Sequence, residues 1–361
     1  MATGPSGSDS ASAEGAPGAA RPSVPGLTRR GRAQLPRTLL LRGIPGFILR
    51  RVLLGLLTLF LISIIVFAAT QALPSDPARA ILGRNATPDA LVALRKQLHL
   101  DRPVVDQYLT WLKGFVTGDL GDSLAANEPV SALLGKRVKN SAFLVLLAAV
   151  ISIPLSLLLG ALSARRRDTV FDHSTSVVML ALAALPEFVV GMLLVVLFGT
   201  TVWKVLPAVA IIPPEDAPWK HMKELVLPTA TLVIAVTPYI ARIMRASMID
   251  VLESEYVEMA QLKGLRERLV VWRHAFPNAV APTIQVIALN LAYLAGGIVV
   301  VEFIFGYAGI GGALVDGVTN RDLPVVQTVV MLIAAVYVVL NLLADIATIL
   351  VTPRLRTRLE R

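Results

Sequence analysis

Glu255-Tyr-Val-Glu-Met-Ala-Gln-Leu-Lys-Gly-Leu-Arg-Glu-Arg-Leu-Val-Val-Trp-Arg-His-Ala-Phe-Pro277 is a polar island between two long apolar runs. The run before it ends in Ile243-Met244-Arg245-Ala246 and predicts a helix that continues into water. Leu252, Tyr256 and Met259 then recur at helical spacing, and Ala260 beside them is small enough for close approach. Gly264 stops this helix, because glycine takes the left-handed conformation that closes a helix C-terminus, and Leu265 can fold back on Ala260 or Met259. After the elbow, Leu265, Leu269, Trp272 and Phe276 form one stripe, with Arg266, Glu267, Arg268 and Arg273 off it. Pro277 suits the first turn of the next helix, where a missing N–H costs little. The island reads as two short amphipathic helices hinged at Gly264. Such a segment either packs on its own bundle or offers a docking surface.

The composition around it is that of a membrane protein. Of 361 residues, 55% are hydrophobic and 16% charged, against about 25% charged in soluble domains. Six apolar spans are expected, at about Val52–Leu73, Ser141–Leu162, Ser174–Leu197, Leu225–Ile243, Val280–Phe303 and Val325–Thr352. At 1.5 Å per residue, about 22 residues cross the ~30 Å hydrocarbon layer. Pro154, Pro186 and Pro238 lie inside spans and are read as kinks, Pro228 near the start of its span and Pro282 at the start of its own.

Lys and Arg flanking the spans orient them. With a cytoplasmic N-terminus, the short inner segments carry eleven basic residues, at Arg165–Arg167, at Lys263, Arg266, Arg268 and Arg273, and at Arg354, Arg356, Arg358 and Arg361. The short outer loops carry four, Lys204, Lys220, Lys223 and Arg321. Both termini are therefore expected in the cytoplasm. The net charge of +9 follows from this clustering and calls for no nucleic acid.

Residues 1–45, rich in Gly, Ser, Ala and Pro, are expected to be a disordered cytoplasmic tail. The first span occupies 46–73, and 74–136 reads as a helical subdomain outside the membrane. Thr87-Pro88-Asp89 is a helix start, with Leu91, Leu94 and Leu98 on one face. A second helix starts near Pro103, with Val104, Tyr108, Trp111, Leu112 and Phe115 on its buried side and Gly118-Asp-Leu-Gly121 at its end. This subdomain is either a lid on the bundle or part of a docking surface or vestibule. Residues 137–352 hold the other five spans, with the polar loop at 249–278, and 353–361 form a cytoplasmic end.

With no cysteine, thiolate catalysis, disulfides and Cys-ligated metal are excluded. His99, His173, His221 and His274 lack ligand spacing, so no metal site and no catalytic group is assigned. An acidic side chain at mid-bilayer costs about 2.5–3.5 kcal/mol on insertion scales, so Glu187, read at the middle of the third span, must face protein or water. Glu187, Gln285, Asn290 and Glu302 are the candidate pore residues, with Glu302 at the outer end of the fifth span. Asp345, one turn after Asn341, reads as a polar contact within the bundle. No G-x-x-x-x-G-K-[ST] phosphate loop occurs, so the chain is not expected to bind ATP itself.

The spacing Glu258-Met-Ala260, three residues, Gly264, nine residues, His274-Ala-Phe-Pro277 resembles the EAA loop of type I ABC importer permeases. Met259, His274 and Phe276 depart from that pattern, while Glu258, Ala260, Gly264 and Pro277 fit it. Leu73-Pro-Ser-Asp-Pro77 resembles a motif of the dipeptide/oligopeptide/nickel permease group, with Ser75 where glycine is usual. So do Gly118-Asp-Leu-Gly-Asp-Ser123, Glu302 with Phe305-Gly-Tyr-Ala-Gly-Ile-Gly311, Asn320-Arg-Asp-Leu-Pro324, Asn341-Leu-Leu-Ala-Asp345 and Pro353-Arg-Leu-Arg356. The likeness is greatest to the group's first, B-type, permease and covers about 46–358.

The resemblance implies an all-α polytopic subunit with six transmembrane helices in the cytoplasmic membrane. It implies a second, homologous permease, two cytoplasmic ATPase subunits or one fused ATPase that hold ATP and Mg, and an external solute-binding protein. It implies a coupling surface at Tyr256, Glu258, Met259, Ala260, Leu262, Lys263, Gly264, Leu265 and Pro277. Short peptides are the expected cargo, with nickel chelates and glutathione as alternatives in the same family. A self-contained secondary transporter is the competing class; its need for several membrane carboxylates is poorly met here. A scaffold without transport would leave the span prolines unexplained.

Overall fold

A computed structural model describes residues 44–72, 87–97, 101–213 and 216–351. Expectations for the tail, for Leu73–Pro77, for Leu98 and for the chain beyond Val351 lie outside those residues. The described residues are almost wholly helical: α1 (Ile44–Gln71), α2 (Pro88–Gln97), α3 (Val104–Thr117), α4 (Val130–Arg165), α5 (Val170–Ala184), α6 (Glu187–Leu194), α7 (Met222–Leu252), α8 (Glu255–Leu262), α9 (Phe276–Phe305), α10 (Ile310–Asn320) and α11 (Leu323–Val351). Among them, five helices are long and apolar enough to cross a membrane, and the bent pair α5–α6 makes six.

The third span departs from the sequence reading. It is not one helix over Ser174–Leu197; α5 and α6 meet at 103°. Pro186 lacks an N–H and forces the residue before it out of the helical region, so Leu185 is extended (φ −86°, ψ 128°) and α5 ends at Ala184. Glu187 therefore stands in the first turn of α6, not in the middle of a helix. The other prolines behave differently: Pro154, Pro228, Pro238 and Pro282 sit inside continuous helices, so Pro282 does not start its helix. The second span is also longer than its apolar stretch, 36 residues from Val130.

Three apolar clusters hold the bundle. The largest joins Leu144 of α4, Leu225, Leu232 and Ile240 of α7, and Leu294, Ile298 and Phe305 of α9. A second lies at the α8 end and a third joins Val130 and Leu134 of α4 to Ile310, Val325 and Val329 at the opposite end. Burying each such side chain contributes about 1.5–3 kcal/mol.

Helices occupy the segment between the first two spans. α2 begins at Pro88 with Asp89 in its first turn, and α3 ends at Gly118 in the left-handed conformation (φ 84°), where its C-cap was read. α3 lies against α1: the Tyr108 hydroxyl is 2.8 Å from Ser63 Oγ, and Tyr108 and Trp111 pack on Phe67. Leu112 and Phe115 are half-buried, but Val104 is 57% exposed, off the packed face. Asp322 clamps the chain after α3 to the α10–α11 corner, accepting from Ser123 Oγ and from Leu124 N at 3.2 Å.

Candidate functional site

The polar island becomes an elbow. α8 begins after Ser254, which is extended (φ −78°, ψ 146°), with Glu255 and Glu258 in its first turn, where the helix dipole favours anions. It ends in a Schellman closure: Leu265 N donates to Ala260 O (3.3 Å) and Gly264 takes φ 76°. Leu265 does fold back on Ala260, through its backbone.

One side of α8 is anchored and the other is bare. Val257 is fully buried with Met244 and Met248 of α7, Ala161 and Ala164 of α4, and Ala275 and Ala279 near the start of α9. Tyr256, Met259 and Leu262 are exposed at 46%, 55% and 75%, as are Glu258, Lys263 and Gly264, while Ala260 is half-buried. An apolar stripe on a helix otherwise fixed to the bundle is uncovered surface that a partner can bury. Asn278 Nδ2 donates to the Tyr256 hydroxyl (3.1 Å), and Arg165 meets Glu267 across 3.1 Å, tying the elbow to its neighbours.

The second half of the island differs from expectation. There is no separate amphipathic helix: Glu267–Leu269 leads through a π-helical stretch, Val270–Ala275, directly into α9. The buried side chains are Val270, Val271 and Ala275, whereas Leu265 and Leu269 are exposed and Trp272 and Phe276 half-buried. The stripe was read at 3.6 residues per turn, but a π turn holds more residues and rotates the register. Pro277, exposed in the first turn of α9, fits this junction, since it has no N–H to donate back into the widened turn.

The four pore candidates fall in different environments. Glu187 is half-exposed beside the α5–α6 break and accepts a 2.7 Å bond from the Tyr293 hydroxyl of α9. Gln285 is exposed on α9, and Asn290 Nδ2 is bonded within its own helix to Val286 O (2.8 Å). Glu302 is fully buried and reaches no open surface. Its carboxylate accepts from Ser141 Oγ (2.5 Å) and Gly311 N (2.6 Å), so it joins α4 and α9 to the first turn of α10 instead of lining a path. These four residues do not come together as one site.

Sequence reasoning missed a buried, two-pronged ion pair of the bundle. Asp172 of α5 is 2% exposed and receives Arg245 of α7 in a fork, Nε–Oδ1 and Nη2–Oδ2 both 2.6 Å, with Ser163 Oγ donating to Oδ1 at 2.5 Å. Its only signal was an arginine at the end of an apolar run. Asp345, read as a bundle contact, pairs with Arg51 of α1 at 3.0 Å. At the opposite end, His221 Nε2 lies 3.0 Å from Asp216 Oδ2, and Glu224 lies 3.7 Å from Nδ1. The Asp216 hydrogen bond raises the His221 pKa above its ordinary value, and the same bond lowers that of Asp216. Among the described residues no cluster of His, Asp or Glu could hold a metal ion.

Comparison with known proteins agrees with the fold. Residues 152–357 match the family described as binding-protein-dependent transport system inner membrane component, and 44–157 match the N-terminal segment of such components. The chain is 34% identical over 311 residues to a probable peptide ABC transporter permease protein of Sinorhizobium fredii, covering 86% of this chain and 99% of the relative. A putative peptide transport system permease protein of Brucella abortus is 36% identical over 314 residues, with the same coverage. The glutathione transport system permease protein GsiC of Escherichia coli is 34% identical over 313 residues, again covering 86% and 99%.

Proposed function

The chain belongs to the family of binding-protein-dependent transport system inner membrane components, ABC importer permeases, and from that premise we propose that it carries short peptides across the cytoplasmic membrane by alternating access. As such a permease it is a multi-pass cell-membrane subunit without catalytic activity of its own, working with an ATPase and a substrate-binding protein. In this reading both termini are cytoplasmic, and a second, homologous permease completes the pore. Two cytoplasmic ATPase subunits, or one fused ATPase, hold ATP and Mg.

The observation that carries the reading is the bare side of α8. Tyr256, Met259 and Leu262 are exposed on a helix whose other side, at Val257, is locked into the bundle. A partner pressing on that surface can move α7 and α9, which a floppy loop would not transmit. Glu258, Ala260, Lys263, Gly264 and Leu265 complete the docking surface, and Pro277 fixes its junction with α9. The peptide cargo is inferred from relatives that are named for peptides. Glutathione is the second reading, favoured by the E. coli relative's name.

The chain has no cysteine, so one introduced thiol is a unique label. In the assembled transporter, Met259→Cys is expected to crosslink to the ATPase and to react with a membrane-impermeant maleimide only after lysis. Labelling of intact cells, or no ATPase crosslink while a surface control elsewhere on the same side gives one, would overturn the reading. Peptide uptake by the reconstituted transporter, tested beside glutathione, decides the cargo.

A further inference from the structure

The third-span break builds a polar notch that the docking reading does not use. Pro186 ends α5, so the carbonyl of Ala183 loses its helical partner, and the Tyr239 hydroxyl of α7 donates to it at 3.2 Å. The next residue, Glu187, opens α6 and points at α9. There Tyr293 donates to Oε2 at 2.7 Å, and Gly297 lets the carboxylate approach closely: a Cβ on it would sit 2.9 Å from Oε2. Two tyrosines from two helices thus meet one backbone break, Tyr293 at the Glu187 carboxylate and Tyr239 at the carbonyl four residues before it.

Three features set this notch apart from a buried structural contact. First, no basic side chain lies within ion-pairing distance of Glu187 among the described residues, unlike Asp172 and Asp345, which have their arginines. Second, the notch is open. Tyr239 is 43% exposed, Tyr293 50% and Phe188 46%, all on a surface of apolar spans. Third, a carboxylate on such a surface cannot face lipid cheaply, so it faces water or a partner. A carboxylate without a cationic partner, with one exposed tyrosine on it and a second at the same break, is chemistry that accepts an ammonium group, by charge and by cation–π attraction. In many secondary transporters broken membrane helices hold substrate groups, because non-helical backbone lines a cavity there.

We propose that Glu187, with Tyr239 and Tyr293, is a mid-membrane subsite for the free α-ammonium group of the transported peptide. This rests on the peptide-importer reading. The binding protein delivers the peptide, and the notch replaces water around its charged end as it passes between the permeases. The Tyr293 bond occupies one carboxylate oxygen and leaves Oε1 for the ammonium. Cargo lacking that cation passes without this counter-charge, so the permease adds selection to that of the binding protein.

The test uses the complete reconstituted transporter with two cargoes, a dipeptide and its des-amino analogue, in which hydrogen replaces the amino group. Both are supplied at concentrations that saturate the binding protein. Wild type is expected to import the dipeptide faster. Glu187→Gln keeps an acceptor for Tyr293 and removes only the charge. It is expected to slow dipeptide uptake about tenfold, the scale of losing a charge-assisted bond, and to leave analogue uptake within about twofold. Glu187→Asp keeps the charge and is expected to keep the preference, which also serves if Glu187→Gln fails to assemble. Equal slowing of both cargoes by Glu187→Gln, no slowing of either, or loss of preference in Glu187→Asp overturns the subsite. A wild-type transporter that imports dipeptides without preferring them overturns the subsite alone. If it imports no peptide, the peptide reading falls as well.

Discussion

Gly264 offers the sharpest perturbation of the elbow. It holds φ 76°, donates to Gln261 O at 2.8 Å, and sets up the 3.3 Å bond from Leu265 N to Ala260 O. A Cβ placed on it would meet nothing within 4 Å. A substitution there acts through the backbone alone, with no clash to confuse the result. The left-handed conformation costs a non-glycine L-residue about 1–2 kcal/mol, and a β-branched residue is the poorest fit to positive φ. That energy lowers the population of the native elbow relative to an opened one by about 5–30-fold. The assay is the assembled transporter in lipid discs, measuring ATP hydrolysis stimulated by loaded binding protein and peptide moved per ATP. Gly264→Val is expected to lower peptide moved per ATP, by up to about 5–30-fold where the native elbow is only marginally favoured over the opened one. Gly264→Asn is expected to lose less, because asparagine tolerates this conformation. Because Gly264 is exposed and its Cβ touches nothing, only the backbone strain acts on the fold, and the melting temperature of the bundle should fall by a few degrees at most. Gly264→Val with wild-type coupling would refute the role of the elbow, as would Asn and Val variants that are equally impaired.

Two further outcomes test the frame around it. Arg245→Ala leaves Asp172 buried without its partner, and breaking such a pair costs about 3–5 kcal/mol, so the melting temperature in detergent should fall clearly; an unchanged melt would mean the fork bears no load. At the other end, the raised His221 pKa means its bond to Asp216 stabilises the loop below the ordinary histidine value of 6.5 and is lost as pH rises through the higher folded value. The lowered Asp216 pKa matters only on the acid side, where its contribution is lost as pH falls below 3.8. Amide exchange over 205–213 and 216–221, corrected for intrinsic rates, should quicken as pH is raised from 6 to 9. His221→Gln should remove that dependence, and pH-independent protection in the wild type would contradict the linkage.

The legible features were those that one helix writes by itself. Apolar runs gave the spans, Thr87-Pro88-Asp89 and Gly118 gave helix ends, and Gly264 gave the elbow. What failed depends on partners distant in sequence. Five prolines in spans look alike locally, yet only Pro186 ends its helix, at a break whose open carbonyl is met by Tyr239, 56 residues on. The π-helical Val270–Ala275 rotated the predicted stripe because its period is set by the fit of Val270, Val271 and Ala275 into the bundle. Glu302 was read as a pore residue because it ends an apolar run; its buried bond is to Ser141, 161 residues away. The elbow at Gly264 was thus readable as a pattern, whereas the polar contacts of the bundle were not.

If a partner pushes on α8 as proposed, those contacts carry the displacement toward Glu187. Val257 packs with Met244 and Met248 on α7, and Arg245 on the same turns grips Asp172 at the start of α5. α5 then runs to the Leu185–Pro186 break that positions Glu187. Close-packed interiors shift as units instead of yielding locally, so displacement of α8 should move α5 through the fork. Stability and transmission can be separated here. Replacing Asp172 by Asn and Arg245 by Met together removes the uncompensated charge and should recover most of the melting temperature lost in Arg245→Ala. If the fork only stabilises, peptide moved per ATP recovers with it. If it transmits, coupling stays low while the melt returns, and the bare side of α8 and the notch at Glu187 are two ends of one mechanical path.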